Sequence, residues 1–212
     1  MYTMALIIKT ETEDIFIDAY SGALLLKDRY KTVYGGAMAV PDFVTADTAL
    51  SMAQNGLQNL GYNTTSSVKT AYLHANVPYY LNEGFYISSH GNSTEVTSRK
   101  NGVSDLDRKF HYYEVSSSIN YELVFLDACE TAAASYWNNA FGITNSSQSK
   151  AFLGWNYTVG EYASLYYCNC FWPLIVTTGS VGLAAAQTVS YVSQYYCPIS
   201  FTGDYNFDGY HY

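Results

Sequence analysis

The chain has 212 residues and a formal net charge of −8, and 49% of its residues are hydrophobic. This length fits one medium-sized domain with a small appendage, and the apolar fraction suffices for a substantial core. Binding to nucleic acid or to an anionic membrane needs an excess of lysine and arginine, so the acidic balance argues against both partners. Few lysines together with 23 tyrosines favour a secreted or cell-surface protein.

Targeting and membrane segments are not expected. Residues 1–4 lack a basic segment followed by a long apolar run, so we interpret the chain as a trimmed or processed product. Residues 162–203 contain no Asp, Glu, Lys or Arg, which is compatible with a membrane span. Pro173 and the frequent Thr, Ser, Gly and Gln residues favour a buried core helix instead.

Residues 1–31 predict a β-hairpin. Ala5–Ile8 and Asp14–Asp18 are rich in strand-forming residues, and Ser21-Gly22 forms a turn before the apolar run Ala23–Leu26. Such a hairpin either completes the edge of a larger sheet or forms a small unit of its own.

Strands and helices alternate in residues 32–202, which we interpret as the main domain. Apolar residues at helical spacing predict a long helix, capped by Thr45 or Asp47 and ended at Gly61. The neighbouring predicted elements are a strand at Ala37–Val40, a second strand at Tyr62–Thr65, a short helix at residues 69–76 and a strand from Gly84. This order predicts an α/β fold with a mostly parallel central sheet and helices on both faces.

Two buried strands of this sheet end in residues that carry chemistry. Tyr121–Leu126 is a short apolar run followed by Asp127-Ala-Cys129, and the run from Gly84 ends in His90-Gly91. The carboxyl ends of parallel strands meet at one edge of a sheet, where α/β proteins place their sites. The sequence therefore predicts that Cys129 and His90 lie together. We also expect Cys129 to begin a helix, whose dipole favours a thiolate.

The remaining chain is a polar connection, a strand and an apolar C-terminal region. Residues 92–118 form a long connection of the kind that is functional or mobile. Ala151–Trp155 predicts a strand after a loop at residues 145–149, and residues 179–195 predict an apolar helix.

Metal and disulfide sites receive little support from the sequence. The tail, residues 203–212, begins the pattern of a calcium loop but lacks its last acidic ligand. Either a plain turn or a partial calcium site is therefore expected, and otherwise no cofactor. Cys168, Cys170 and Cys197 lack zinc-site spacing, so we interpret them as buried free thiols, with one disulfide to Cys197 as the alternative.

His90-Gly91 after one strand and Asp127-Ala-Cys129 after the next resemble the caspase-like cysteine peptidases, the clan that includes caspases, metacaspases, gingipains and clostripain. The resemblance covers roughly residues 37–192 and includes the strand Ala151–Trp155. Cys129-Glu-Thr131 is similar to the caspase-like domains found beside helical repeats in bacteria. The family implies a three-layer sandwich and a thiol protease. The signature Gln-Ala-Cys-x-Gly is absent, so aspartate specificity is not expected.

The resemblance implies a catalytic role for each motif. Cys129 is expected to be the nucleophile, and His90 the base that then protonates the leaving amine. The backbone N–H groups of Gly91 and Cys129 are the expected donors to the oxyanion.

Specificity residues are also implied. In metacaspase-like members the position of Asp127 helps to bind the Arg or Lys that precedes the cut, while a structural acid is the alternative. Asp42 or Asp47 is expected to supply a second acid. Trp155 and Asn156 are expected to form a cleft wall, with a core position as the alternative for Trp155.

Self-processing is a further expectation. Phe16–Leu24 resembles the end of the small propeptide domains that precede many secreted bacterial peptidases, so residues 1–31 are either a propeptide remnant or an edge hairpin. Basic residues cluster before the main domain and in the long connection, where self-cleavage would activate such an enzyme. They are Lys27, Arg29 and Lys31 in the first group and Arg99, Lys100, Arg108 and Lys109 in the second.

These features predict a secreted bacterial cysteine endopeptidase that acts on protein or peptide substrates, cleaves after Arg or Lys, and processes itself. A monomer is favoured. Two alternatives stay open: a caspase-like interaction domain without catalysis, and an acyl-transfer enzyme of the transpeptidase kind.

Overall fold

A computed structural model describes residues 5–9, 13–18, 24–29, 33–64, 67–146, 148–193, 195 and 198–209. The chain divides into an N-terminal unit within residues 1–32 and a main unit within residues 33–211.

Three antiparallel strands make up the described part of the N-terminal unit. They are β1 (Ala5–Lys9), β2 (Glu13–Asp18) and β3 (Leu24–Arg29), paired in the order β1-β2-β3. β2 pairs with both of its neighbours, and the three strands form a sheet of their own. The interpretation as an edge hairpin of the main sheet is therefore wrong, and a separate small unit is what the chain forms.

The main unit is built around a six-stranded sheet. Its order is β12-β11-β10-β6-β4-β5, and all neighbours are parallel except β12, which is antiparallel to β11. The strands of this unit are β4 (Gly35–Ala39), β5 (Ser67–Lys69), β6 (Gly84–Ser88), β7 (His90–Gly91), β8 (Glu95–Thr97), β9 (Lys109–His111), β10 (Leu123–Asp127), β11 (Ala151–Trp155) and β12 (Ile199–Gly203).

Helices cover both faces of the sheet. They are α1 (Ala46–Asn59), α2 (Leu73–Tyr80), α3 (Tyr136–Ala140), α4 (Glu161–Thr178) and α5 (Val181–Tyr191). Successive side chains of a strand point to opposite faces, so Phe125 of β10 packs with α1, α4 and α5, while Val124 packs with α2 and α3. The predicted α/β fold, with a mostly parallel sheet and helices on both faces, is confirmed.

The second strand and the second helix lie further along the chain than predicted. The strand expected at Tyr62–Thr65 is β5 instead, and Asn63 makes only an isolated bridge with Tyr34. The N–H of Tyr62 closes the end of α1 by donating to the carbonyl of Leu57 at 3.0 Å, so this segment continues the helix terminus rather than a strand. Helix α2 accordingly begins later than residue 69.

The long uncharged region forms two core helices. Gly179 ends α4 in the left-handed conformation at φ 59°, and Ser180 caps α5 by accepting the N–H of Leu183 at 3.0 Å. Tyr167 and Phe171 of α4 are fully buried, which confirms the interpretation as a buried core helix. None of the helices in the described ranges is long and apolar enough to span a membrane.

Residues 198–209 belong to the main unit and not to a free tail. β12 was not predicted, and the carbonyls of Tyr205 and Phe207 accept hydrogen bonds from the first residues of α5. Asp204 accepts the N–H of Asn206 at 2.9 Å, which closes a turn at this point of the chain. In the part of the chain that the structure describes, no group of three His, Cys, Asp or Glu residues is placed to hold a metal ion.

The polar connection after His90 is folded. β7, β8 and β9 form a small antiparallel sheet, and a short 3-10 helix follows at Tyr112–Glu114. This sheet fixes the residues on either side of it, including Ser98, which is fully buried.

Candidate active site

Cys129 and His90 line one cleft at the edge of the central sheet. β10 and β6 are adjacent parallel strands with Asp127 opposite Ser88, so the residues that follow them leave the sheet side by side. The cleft encloses about 250 Å³. Its other walls come from the loop after β4, the connection after β8 and the region around the start of α4, and include Phe43, Thr45, Arg99, Val159, Glu161 and Ser164.

Cys129 lies in a turn and not at the start of a helix. The next helix, α3, begins only at Tyr136. Glu130 adopts a left-handed backbone at φ 61°, which costs about 1–2 kcal/mol for a residue with a side chain and cannot continue a right-handed helix. The Thr131 hydroxyl donates to the carbonyls of Leu126 and Ala128 at 3.0 and 2.9 Å, as the turn requires. The prediction that a helix dipole acts on Cys129 is wrong.

A backbone amide takes the place of that dipole. The N–H of Val159 donates to the Cys129 sulfur at 3.5 Å, an interaction that strengthens when the sulfur is a thiolate. The N–H groups of Glu130 and Thr131 donate to the carbonyls of Tyr157 and Ala128. The N–H of Cys129 itself donates to no protein group within the described residues, so it is available to an oxyanion.

His90 is half-buried against an aromatic ring. Its imidazole makes an edge contact with Phe43, with ring centroids 4.6 Å apart. Burial lowers the pKa of His90 from its ordinary 6.5, the charge of Arg99 lowers it further, and Asp42 and Glu161 oppose the shift. The shift favours the neutral imidazole, which is the form that accepts a proton.

The pH dependence of activity follows from this shift. If neutral His90 is the base, kcat/KM is lost only when the imidazole is protonated, so its acid limb should lie below pH 6.5. Arg99→Gln removes a cation that opposes protonation and should move the limb to higher pH. A pH profile of kcat/KM for both proteins measures this, and an acid limb above pH 6.5 in the wild type would contradict it.

Gly91 allows the His90 segment to pack closely on the Cys129 turn. A Cβ at this position would lie 2.9 Å from Cβ of Ala128 and 3.5 Å from the carbonyl oxygen of Cys129. Real side chains do not tolerate the shorter distance, so glycine is required for this approach.

Asp127 is a buried acid below the cleft. Its Oδ1 accepts hydrogen bonds from Trp155 Nε1 at 2.8 Å and Ser164 Oγ at 2.5 Å, and its Oδ2 accepts from Tyr86 at 2.8 Å. Burial raises the pKa of Asp127, while these hydrogen bonds oppose the shift. The donors are side chains, so Asp127 has a structural role whether or not it also contacts a substrate. Trp155 is fully buried, so it occupies a core position, the alternative to a place in the cleft wall.

The other predicted specificity residues do not line the cleft. Asp47 is paired with Lys69 at 2.6 Å on the surface, because it lies in the first turn of α1 facing β5. Asp42 accepts from Ser98 Oγ and from the N–H of Arg99, so it positions the connection rather than the substrate. The N–H of Asn156 donates to the carbonyl of Pro198 at 2.8 Å, which ties this residue to the segment before β12.

Glu161 is the cleft residue that sequence reasoning missed. It begins α4, and its Oε1 accepts the N–H of Thr45 at 2.7 Å and the Thr45 hydroxyl at 2.8 Å. The available signal was its position as the last charged residue before a long uncharged region.

The predicted processing residues differ in their surroundings. Lys27 and Arg29 lie within β3 and not in a linker before the main unit, and Lys31 is outside the described residues. Arg108 and Lys109 are both paired with Asp105. Of the predicted processing residues that the structure describes, Arg99 and Lys100 alone lie in exposed chain without regular structure, which is where proteases cut.

The remaining cysteines are not placed for catalysis. Cys168 is a buried free thiol 3.9 Å from Asp127, and burial raises its pKa well above the usual range. Cys170 is a half-buried free thiol that does not line the cleft. Cys197 lies outside the described residues.

A scan against models of known protein families finds no match for this chain, and a search of curated proteins finds none either. The geometry of the cleft is therefore the basis on which a function can be assigned.

Proposed function

We propose that this chain is a caspase-like cysteine endopeptidase that cleaves peptide bonds after Arg or Lys. The observation that carries the proposal is that Cys129 and His90, which follow adjacent parallel strands, line one cleft. A mostly parallel sheet with helices on both faces, as in the main unit, agrees with what the caspase-like resemblance implies.

The proposed reaction uses Cys129 and His90, which line the cleft, together with the backbone N–H groups of Cys129 and of the residue after His90. His90 accepts the thiol proton as the Cys129 sulfur attacks the substrate carbonyl, and the N–H groups of Cys129 and Gly91 stabilise the resulting oxyanion. The protonated imidazole then gives its proton to the leaving amine, which breaks the C–N bond and leaves an acyl-enzyme. Water, deprotonated by His90, hydrolyses this thioester and restores both side chains.

Two acids support basic specificity. Within the described residues, Glu161 Oε1 accepts both hydrogen bonds from Thr45 and Oε2 accepts none, so one carboxylate oxygen is available to a cation. Asp127 adds negative charge at the floor of the cleft, although its oxygens already accept three hydrogen bonds. Glu161 is therefore the acid better placed to pair directly with the Arg or Lys side chain.

Glu161→Gln tests this assignment. The amide oxygen of Gln still accepts the Thr45 hydrogen bonds, so the fold should be kept while the charge is lost. A hydrogen bond to a charged group contributes about 1.5–3 kcal/mol, so kcat/KM for Arg and Lys substrates should fall roughly 10- to 100-fold. Asp47→Asn, which removes a carboxylate outside the cleft, is the matched control. An unchanged preference for Arg and Lys in Glu161→Gln would contradict the assignment.

A panel of fluorogenic peptides that differ only in the residue before the cleaved bond tests the function itself. The expected result is release of the fluorophore from the Arg and Lys peptides. Iodoacetamide should also label Cys129 faster than Cys170 at pH 7. No release from any peptide and no preferential labelling would favour a non-catalytic interaction domain. Transfer of the acyl group to an added amine in preference to water would favour the acyl-transfer alternative.

A further inference from the structure

Arg99 places a guanidinium in the cleft that the proposed reaction does not use. The backbone N–H of Arg99 donates to Asp42 Oδ2 at 2.8 Å, and the same oxygen accepts a hydrogen bond from the hydroxyl of Ser98 at 2.7 Å. Ser98 is fully buried, whereas Arg99 is exposed and lines the cleft. The backbone of this segment is therefore fixed while the cation above it faces the space that a substrate would occupy.

The guanidinium of Arg99 has no ion-pair partner among the residues that the structure describes. Lys69, Arg108 and Lys109 each form an ion pair with an aspartate. Among the described residues, none forms an ion pair with Arg99, although Glu161 and Asp127 line the same cleft. The guanidinium donors of Arg99 are therefore available to a ligand.

Arg99 lies on the His90 side of the cleft. Its anchor, Asp42, follows β4, and β4 borders β6 on the side away from β10. Along the edge of the sheet, the order is therefore Cys129, His90 and the Arg99 anchor. A peptide bond attacked by Cys129 turns its amine towards His90, so the residues after the cut run towards Arg99.

We propose that Arg99 binds an acidic side chain, Asp or Glu, in the first two residues after the cleaved bond. The planar guanidinium matches a carboxylate through two parallel hydrogen bonds. The proposal rests on the peptidase function and specifies its substrate class: peptides in which the basic residue at the cut is followed closely by an acidic one.

Matched peptides test the proposal. The two peptides of a pair are identical except at one position, where one has Glu and the other has Gln. Separate pairs place this difference at each position from two residues before the basic residue to two residues after the cut. The ratio of kcat/KM for Glu over Gln is measured within one protein, so any effect of Arg99 on His90 cancels. A carboxylate pairing of about 1.5 kcal/mol corresponds to a ratio of roughly ten in the wild type, at the first or second position after the cut. The ratio should be about one in Arg99→Gln.

Two further variants sharpen the test. Lys100→Gln removes a charge from the same segment but outside the cleft, and should keep the wild-type ratio. Arg99→Glu should prefer Lys over Gln at the same position. Equal ratios in Arg99→Gln and the wild type, or an acidic preference only before the cut, would overturn the proposal.

A binding measurement separates this proposal from the peptidase function. Cys129→Ala protein is titrated with the same labelled peptides, and anisotropy reports affinity without cleavage. If the wild type cleaves the peptides without preferring Glu over Gln, the Arg99 proposal is wrong and the peptidase function stands. An Arg99-dependent preference for Glu in binding, without cleavage of any peptide by the wild type, supports the anion site and removes the peptidase function.

Discussion

Cys129→Ala is expected to lower kcat/KM for the best basic peptide by about 10⁴-fold or more, to the level that binding and oxyanion donors alone provide. Cys129 lines the same cleft as His90, and its sulfur accepts a hydrogen bond from the N–H of Val159. His90→Ala should cause a loss of similar size. Because the nucleophile and its base act as a unit, the double variant should lose little more than either single one.

Cys170→Ala is the matched control for this result. It removes another free thiol that is only half-buried but does not line the cleft, and it should retain full activity. Urea unfolding of each variant shows that the fold is kept. Peptidase activity in Cys129→Ala equal to that of the wild type would assign the chemistry to a different nucleophile.

The sequence was sufficient for the strands that form the buried centre of the sheet. Ala151–Trp155 and the strand near Ala37 are short apolar runs between turns, and a strand buried on both faces has this composition. β5 has the sequence Ser-Val-Lys and lies at the sheet edge. Its position is determined by pairing with β4 and not by its own composition, so no local pattern could locate it.

The same distinction applies to the candidate site. His90 and Cys129 were predicted to meet because parallel strands end at the same edge of a sheet, a rule that needs only local patterns. Glu161 and Arg99 reach the cleft through contacts between distant segments. Glu161 bonds Thr45, 116 residues away, and Arg99 bonds Asp42, 57 residues away. The left-handed conformation of Glu130 could not be predicted locally either, because it accompanies a hydrogen bond from its N–H to the distant carbonyl of Tyr157.

The largest effect on stability is expected from Asp127→Ala, which should lower the free energy of unfolding by about 3 kcal/mol or more. Tyr86, Trp155 and Ser164 all donate to this carboxylate in the interior, and alanine leaves the three donors without an acceptor. Each buried donor without a partner costs about 1–3 kcal/mol. Urea unfolding with an unchanged m-value measures the loss.

Asp127→Asn separates hydrogen bonding from charge at this position. The amide oxygen can still accept from Trp155 and Ser164, and the Tyr86 hydroxyl can rotate to accept from the new NH₂ group. The asparagine variant should therefore lie between the wild type and Asp127→Ala in stability. Asp47→Ala, at an exposed carboxylate, should change the free energy of unfolding by no more than about 0.5 kcal/mol. A loss in Asp127→Ala no larger than in Asp47→Ala would show that the three donors find other partners, and the buried acid would then have no structural role.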